Sequence, residues 1–188
     1  MVEKMIFTET KLKGAFVIDI DKKEDARGFF ARTFCQKEFR EHGLNPNFVQ
    51  ANVSYNDKKG TMRGMHIQAA PHCEAKLVRC AEGALFDVIV DLRKNSSTFK
   101  QWFGIELSRD NFKMLFIPEG FAHGFVTLTN HTQILYQMSE FYAPGFDRGF
   151  RYNDPAFAIK WPVKVAEISE KDASWPLFAS VPQGNLTC

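Results

Sequence analysis

Short segments rich in Val, Ile, Phe and Thr recur along this chain at close spacing, each closed by a turn signal, a rhythm that suits antiparallel sheet and not alternating βαβ units. Strands are predicted at 15–20, 28–34, 49–55, 61–68, 76–80, 84–91, 102–107, 114–117, 124–128 and 133–141. So many short strands require two packed sheets or a closed barrel. Composition agrees: 14% of residues are aromatic, 19 of them Phe, a type that favours pleated, half-buried surfaces. One clear helix is predicted at 36–42, with Phe39 as its apolar position and Gly43 as its stop, and a second, short one starts at Ser169. Asn56-Asp57-Lys58-Lys59-Gly60 reads as a polar hairpin turn, while Asp154-Pro155 and Trp161-Pro162 mark irregular chain. The expectation is a single domain over 1–188, with its sheet core at about 15–142 and an irregular C-terminal segment at about 143–188.

At 188 residues and 45% apolar, the chain can bury one substantial core. No apolar run approaches the roughly 20 residues of a membrane span, and Met1-Val2-Glu3-Lys4 lacks a signal-peptide stretch. A cytoplasmic protein without a membrane partner is expected. A net charge of +2 provides no field for nucleic acid, so any anionic ligand must be held by locally placed side chains. Cys35, Cys73, Cys80 and Cys188 lack C-x-x-C spacing and read as reduced thiols.

Much of the candidate chemistry lies inside the predicted strands, with His123 in the tight turn where one begins. In Thr61-Met62-Arg63-Gly64-Met65-His66-Ile67-Gln68, alternation puts His66 and Gln68 on one face and Arg63 on the other, unless Gly64 permits a bulge that re-aims the arginine. A histidine there is commonly a hydrogen-bonded core residue. His66 and His123, with His72 and Glu74 nearby, offer enough ligand types for iron or zinc, but Gln68 stands where an H-x-H pair would place its second ligand. Asp87 and Asp91 share a face with Ile89 and fit a solvated outer face, although a polar-lined cavity would look the same. Periodicity leaves Lys76 open. Tyr136 reads as a core tyrosine with one hydroxyl partner, and Ser169-Glu170-Lys171-Asp172 has capping-box spacing, a structural role for Asp172.

Taken in order, Arg63-Gly64-Met65-His66, Lys76-Leu77-Val78-Arg79-Cys80, Phe86-Asp87-Val88-Ile89-Val90-Asp91-Leu92-Arg93, Ile117-Pro118-Glu119-Gly120-Phe121-Ala122-His123-Gly124-Phe125 and Ser169-Glu170-Lys171-Asp172 closely resemble the dTDP-4-dehydrorhamnose 3,5-epimerase family. The likeness runs from Lys13-Gly14 to about Asp172. It implies an all-β, cupin-like jelly roll with a few short helices, no metal or other cofactor, and a homodimer that exchanges strands. It further implies epimerisation of carbons beside the C4 ketone of a nucleotide-linked 6-deoxyhexose. By similarity His66 is the base, Asp172 its carboxylate partner, Tyr136 the acid on the opposite face and Lys76 the stabiliser of the enolate oxygen, with His123 close by. Arg63, Gln50 and Asn52 match nucleotide and sugar contacts, and Arg27 a phosphate contact supplied by the partner subunit. The chemistry needs these types: a carbon acid is far weaker than an imidazolium of pKa about 6.5, so a fixed cation must meet the developing enolate charge. Inversion then needs a proton donor on the other face.

Two positions depart from the family pattern. Arg32 stands where an acidic residue accepts from thymine N3–H, and an arginine suits cytosine better, which leaves a CDP-linked substrate open. Phe141 replaces a tyrosine at a substrate-facing position, which leaves C5-only or C3-only epimerisation open. A non-catalytic nucleotide-sugar-binding jelly roll and a metal-dependent oxygenase are the readings of other classes. The tail 179–188 lies beyond the resemblance.

Overall fold

The computed structural model describes residues 4–181 and Cys188, so most of the 179–188 tail and the first three residues lie outside the described part. Its strands, in chain order, are β1 (Ile6–Glu9), β2 (Phe16–Asp19), β3 (Lys23–Asp25), β4 (Gly28–Phe30), β5 (Gln50–Asn56), β6 (Thr61–Gln68), β7 (Lys76–Glu82), β8 (Ala84–Asp91), β9 (Trp102–Ser108), β10 (Met114–Ile117), β11 (Phe121–Thr127), β12 (Thr132–Met138), β13 (Asp147–Gly149) and β14 (Glu167–Ile168). Two short helices, α1 (Gln36–Glu41) and α2 (Glu170–Ser174), complete the regular structure together with one 3₁₀ turn.

The strands form two facing sheets, ordered β1-β2-β10-β7-β12-β5 and β13-β6-β11-β8-β9, and a separate β3–β4 hairpin. Apart from the parallel β14–β6 pair, the ladders are antiparallel, as expected of a jelly roll. Period-2 alternation places the core: Val17, Val78, Leu85, Ile89, Leu107, Leu115, Phe125 and Ile134 meet between the sheets. Each fully buried phenylalanine of this kind contributes about 1.5–3 kcal/mol through the apolar area it removes from water. The outer face of the first sheet is covered by α1, whose Phe39 is fully buried and meets Phe34 and Phe116 edge-on. The outer face of the second is covered by the C-terminal segment through Phe150, Phe157 and Phe178.

That last layer corrects one expectation. Residues 143–181 carry few regular elements, yet β13 and β14 both pair with β6, and the segment's phenylalanines are core. Both faces of β8 are therefore covered. Asp87 and Asp91 are fully buried and not on a solvated face: Asp87 looks between the sheets, and Asp91 accepts hydrogen bonds from Arg93, Ser96 and Thr98 at the other end of its strand. Burial raises the Asp91 carboxyl, but those donors outweigh it and leave it below its ordinary 3.8.

Other differences are local. Asn56–Gly60 does not close a hairpin but carries the chain from β5 in the first sheet to β6 in the second, because β5 pairs with β12 and β6 with β11. The strand expected at 28–34 stops at Phe30, where pairing with β3 ends and the chain turns toward α1. Cys73 and Cys188 are joined in a disulfide with Cα atoms 5.6 Å apart, correcting the reading of four reduced thiols; Cys35 and Cys80 are free. Among the described residues, no helix is long and apolar enough to cross a membrane.

Candidate active site

The site grows from an irregularity in β6. His66 lies opposite His123 of β11, and Arg63 opposite Phe125, so three steps along β6 match two along β11. The extra residue is a bulge, and it brings Arg63 and His66 to the same inward face despite their odd spacing. Gly64 makes this possible: its φ is +121°, and a Cβ there would stand 2.5 Å from the Cα of Gly124. On the outer flank of β6, β14 pairs in parallel at Thr61 and Met62 and leads into Ser169, whose Oγ accepts the N–H of Asp172 at 3.1 Å and caps α2. Only half of the capping box forms. The Asp172 carboxylate turns instead to β6, with Oδ1 2.6 Å from His66 Nε2 and Oδ2 accepting the Gly64 N–H at 3.2 Å.

That pairing has an electrostatic consequence. Burial pushes the Asp172 carboxyl up, but the hydrogen bond and charge of His66 and the Gly64 amide prevail and hold it below its ordinary 3.8. An ionised Asp172 accepts from Nε2–H, which leaves Nδ1 as the imidazole nitrogen with a lone pair.

The opposite sheet supplies the complementary groups. Lys76 shares the inner face of β7 with Val78 and Cys80, and Tyr136 lies beside Val78 on β12. Both side chains line a cavity of about 330 Å³ together with His66, Arg63 and His123. Burial, and then the nearby Asp87 carboxylate, push the Tyr136 phenol above its ordinary 10, against a hydrogen bond with Ser54 and the charge of Arg63. The phenol therefore stays protonated at neutral pH. The His123 ring lies edge-on to that of Tyr136, with centroids 6.3 Å apart, and its Nε2 is 2.7 Å from Oδ1 of the fully buried Asp87.

The cavity also gathers Gln50 and Asn52 from β5, and Arg63, whose Nε donates to Asn56 Oδ1 at 2.8 Å. Three residues singled out in the sequence lie elsewhere. Arg27 sits at the tip of the β3–β4 hairpin, its side chain 90% exposed and paired with Asp25. Arg32 binds the buried Glu38 at 2.6 Å and does not line the cavity. Phe141 is exposed outside the cavity lining, and Tyr142 forms the wall there. Gln68 explains itself structurally: its amide donates to the carbonyls of His72 and Phe141 and accepts the Ala143 N–H, tying down the turn that presents Tyr142. Among the described residues, no set of three or more His, Cys, Asp or Glu side chains is gathered for a metal. Three polar residues of the lining carry no substrate or catalytic role in the sequence reading. Glu74 precedes β7, has its carboxylate 3.0 Å from Lys76 Nζ and figures in the sequence only as a candidate metal ligand; the others are Ser54 and Tyr142. For Ser54 the signal was present, since it continues the 50, 52 alternation of β5.

The family model for dTDP-4-dehydrorhamnose 3,5-epimerase matches residues 9–180. The chain belongs to this family. It is 44% identical over 172 residues to the dTDP-4-dehydrorhamnose 3,5-epimerase of Methanothermobacter thermautotrophicus, covering 90% of this chain and 92% of that one. The crystal structure of the Bacillus anthracis dTDP-4-dehydrorhamnose 3,5-epimerase, with TDP and PPi bound, superimposes with a TM-score of 0.90 at 44% identity, covering 93% of this chain and all of that one. The Legionella pneumophila dTDP-6-deoxy-D-glucose-3,5-epimerase, in complex with dTDP-4-keto-L-rhamnose, gives 0.91 at 36% identity, with 98% of each chain covered. The jelly-roll architecture is thus shared with members of the dTDP-4-dehydrorhamnose 3,5-epimerase family along nearly the whole chain.

Proposed function

We infer that this chain is an isomerase, an epimerase of the dTDP-4-dehydrorhamnose 3,5 type. The observation that carries the mechanism is that an imidazole on one sheet and a phenol on the other line a single cavity, with an ammonium in its wall. In our reading, His66 Nδ1 removes the proton from a carbon beside the C4 ketone, and Asp172 stabilises the imidazolium that forms. Electrons move into the carbonyl, and the Lys76 ammonium meets the charge on the enolate oxygen. Tyr136 then returns a proton to the same carbon from the opposite face, which inverts it. Once His66 has released its proton to solvent and Tyr136 has regained one, a second round at the other flanking carbon completes a 3,5-epimerisation. Gln50, Asn52 and Arg63 hold the nucleotide-linked sugar, and His123 contacts it beside Tyr136.

The substrate's diphosphate needs further cations, and the fold suggests their source. The β3–β4 hairpin pairs only with itself among the described strands and exposes Arg27, Phe29 and Phe30, while β5 at the end of the first sheet exposes Val53 and Tyr55. An open strand edge flanked by apolar side chains is a template for pairing with a second copy. We propose a homodimer in which the hairpin of one subunit delivers Arg27 to the cavity of the other. Mixing Arg27→Ala with His66→Ala protein tests this: subunit exchange restores activity if Arg27 acts across the interface, and does not if it acts within its own chain.

The function itself is tested by incubating the protein with dTDP-4-keto-6-deoxyglucose in D₂O. Deuterium is expected at C3 and C5 in the wild type and at neither carbon in His66→Ala; tight binding without exchange in the wild type would make the chain a binding module. Tyr136→Phe is expected to retain exchange at the carbon His66 reaches while losing the inverted product.

A further inference from the structure

The site holds one charged group that the proposed reaction leaves idle. Glu74 lines the same cavity as His66, Lys76 and Tyr136, and its side chain is 13% exposed, much as that of Lys76 at 15%. A carboxylate in a pocket that must accept an anionic nucleotide is unfavourable unless it acts on something local. Its surroundings hold it still. Cys73, the preceding residue, is joined to Cys188 by the disulfide, and Ala75, the following residue, exchanges two hydrogen bonds with Ser139, its N–H donating to Oγ at 2.8 Å and its C=O accepting the Ser139 N–H at 3.0 Å. Glu74 therefore presents its carboxylate from a backbone fastened on both sides, and Oε1 stands 3.0 Å from Lys76 Nζ.

Lysine requires such an anchor more than arginine would. Its ammonium sits on a flexible four-carbon stem, with three donors and no fixed plane, so a free Lys76 would sample many positions in the cavity. The ion pair with Glu74 selects a single arrangement and leaves the ammonium's donors for the substrate's carbonyl oxygen. We propose that Glu74 is the positioning residue for the Lys76 ammonium, holding it where the enolate oxygen forms. This rests on the epimerase reading above. The carboxylate and the developing oxyanion are alternative acceptors for one cation, and a preplaced donor helps most when it need not reorganise as charge develops. The effect is thus felt in the chemical step and not in binding.

A double-mutant cycle on the full-length enzyme tests the proposal, with deuterium wash-in and product formation as readouts. Glu74→Ala is expected to lower kcat by about 10²-fold, the order associated with a displaced catalytic group, with KM changed by less than about threefold. Glu74→Gln, which keeps an acceptor at the same distance, is expected to recover most of that loss. In a Lys76→Ala background, Glu74→Ala should have no further effect, because the two residues act as one unit. Additive losses, or a KM effect with kcat intact, would overturn the proposal and make Glu74 an independent substrate contact. If instead the wild type itself exchanges no deuterium, the epimerase reading fails and not the pairing, for which loss of Lys76 order in the cavity on Glu74→Ala can be read directly by crystallography.

Discussion

Replacing Asp172 by Asn keeps shape and volume while reversing one hydrogen bond, and the structure dictates which one. Oδ2 accepts the Gly64 N–H, so that position must remain an oxygen in the variant. The amide nitrogen is then forced into the Oδ1 position, 2.6 Å from His66 Nε2, where it can only donate. His66 must answer with a lone pair on Nε2, moving its proton to Nδ1, the nitrogen that is meant to act as base. The variant therefore holds the wrong tautomer as well as losing a charge. An equivalent reversal in a His–Asp pair of another enzyme lowers turnover about 10⁴-fold, and a loss of about 10³–10⁴ is expected here, equal to about 4–5.5 kcal/mol of transition-state stabilisation. Asp172→Ala leaves the tautomer unconstrained and should lose less than Asp172→Asn, although it removes more atoms. The assay is the initial rate of deuterium incorporation at C3 and C5, with thermal melts confirming that both variants fold. An Asn variant within about tenfold of wild type, or an Ala variant worse than it, would refute the tautomer argument.

Three further outcomes are expected. Gly64→Ala should destabilise the fold by about 3–5 kcal/mol, since it combines an unfavourable positive φ with a Cβ 2.5 Å from Gly124, and a urea melt close to wild type would show that the bulge tolerates a side chain. Asp91 and Asp172 have carboxyls held below their ordinary 3.8, so the stability they lend is present above that pH and is lost as acid protonates them. Urea midpoints should therefore fall steeply below about pH 4, less so in Arg93→Ala, and a flat acid profile would contradict this. Reduction of the Cys73–Cys188 bond, which closes a loop of 115 residues, should destabilise the protein by about 2–5 kcal/mol, and Cys188→Ser should melt at the same lower temperature with or without reductant.

How much of this was legible in the sequence depended on whether a residue sat inside a periodic element. β6, β8 and β10 were readable to their ends because turn signals containing Gly, Pro, Asn or Lys bracket them, and β-branched and aromatic residues dominate β8. His66, Lys76 and Tyr136 fall within predicted strands and were marked by motifs, whereas His123, expected in the turn before a strand at 124–128, lies inside β11. Asp87 misled for a physical reason: alternation shows that two faces differ, but when a C-terminal layer covers the far face, the more polar one need not meet water. Arg63 needed Gly64 to be recognised as a bulge, and the sequence marks that possibility without deciding it. Glu74 occupies a loop where no period applies, and a disulfide between residues 73 and 188 depends on a closure that no local pattern encodes.

The acid and the base of the proposed mechanism belong to different sheets, and what separates them is the thickness of the hydrophobic layer between those sheets. Facing sheets stand about 10 Å apart, a gap set by the side chains that fill it. Ile89, Leu107 and Leu115 thus act as spacers in a caliper whose jaws are an imidazole and a phenol. Trimming any of them changes the span across which a sugar ring must be gripped, and a misplacement of about 1 Å can lower turnover about 10²-fold. On the proposed mechanism, turnover is expected to respond to changes in this oily interior as well as to changes in the residues that line the cavity.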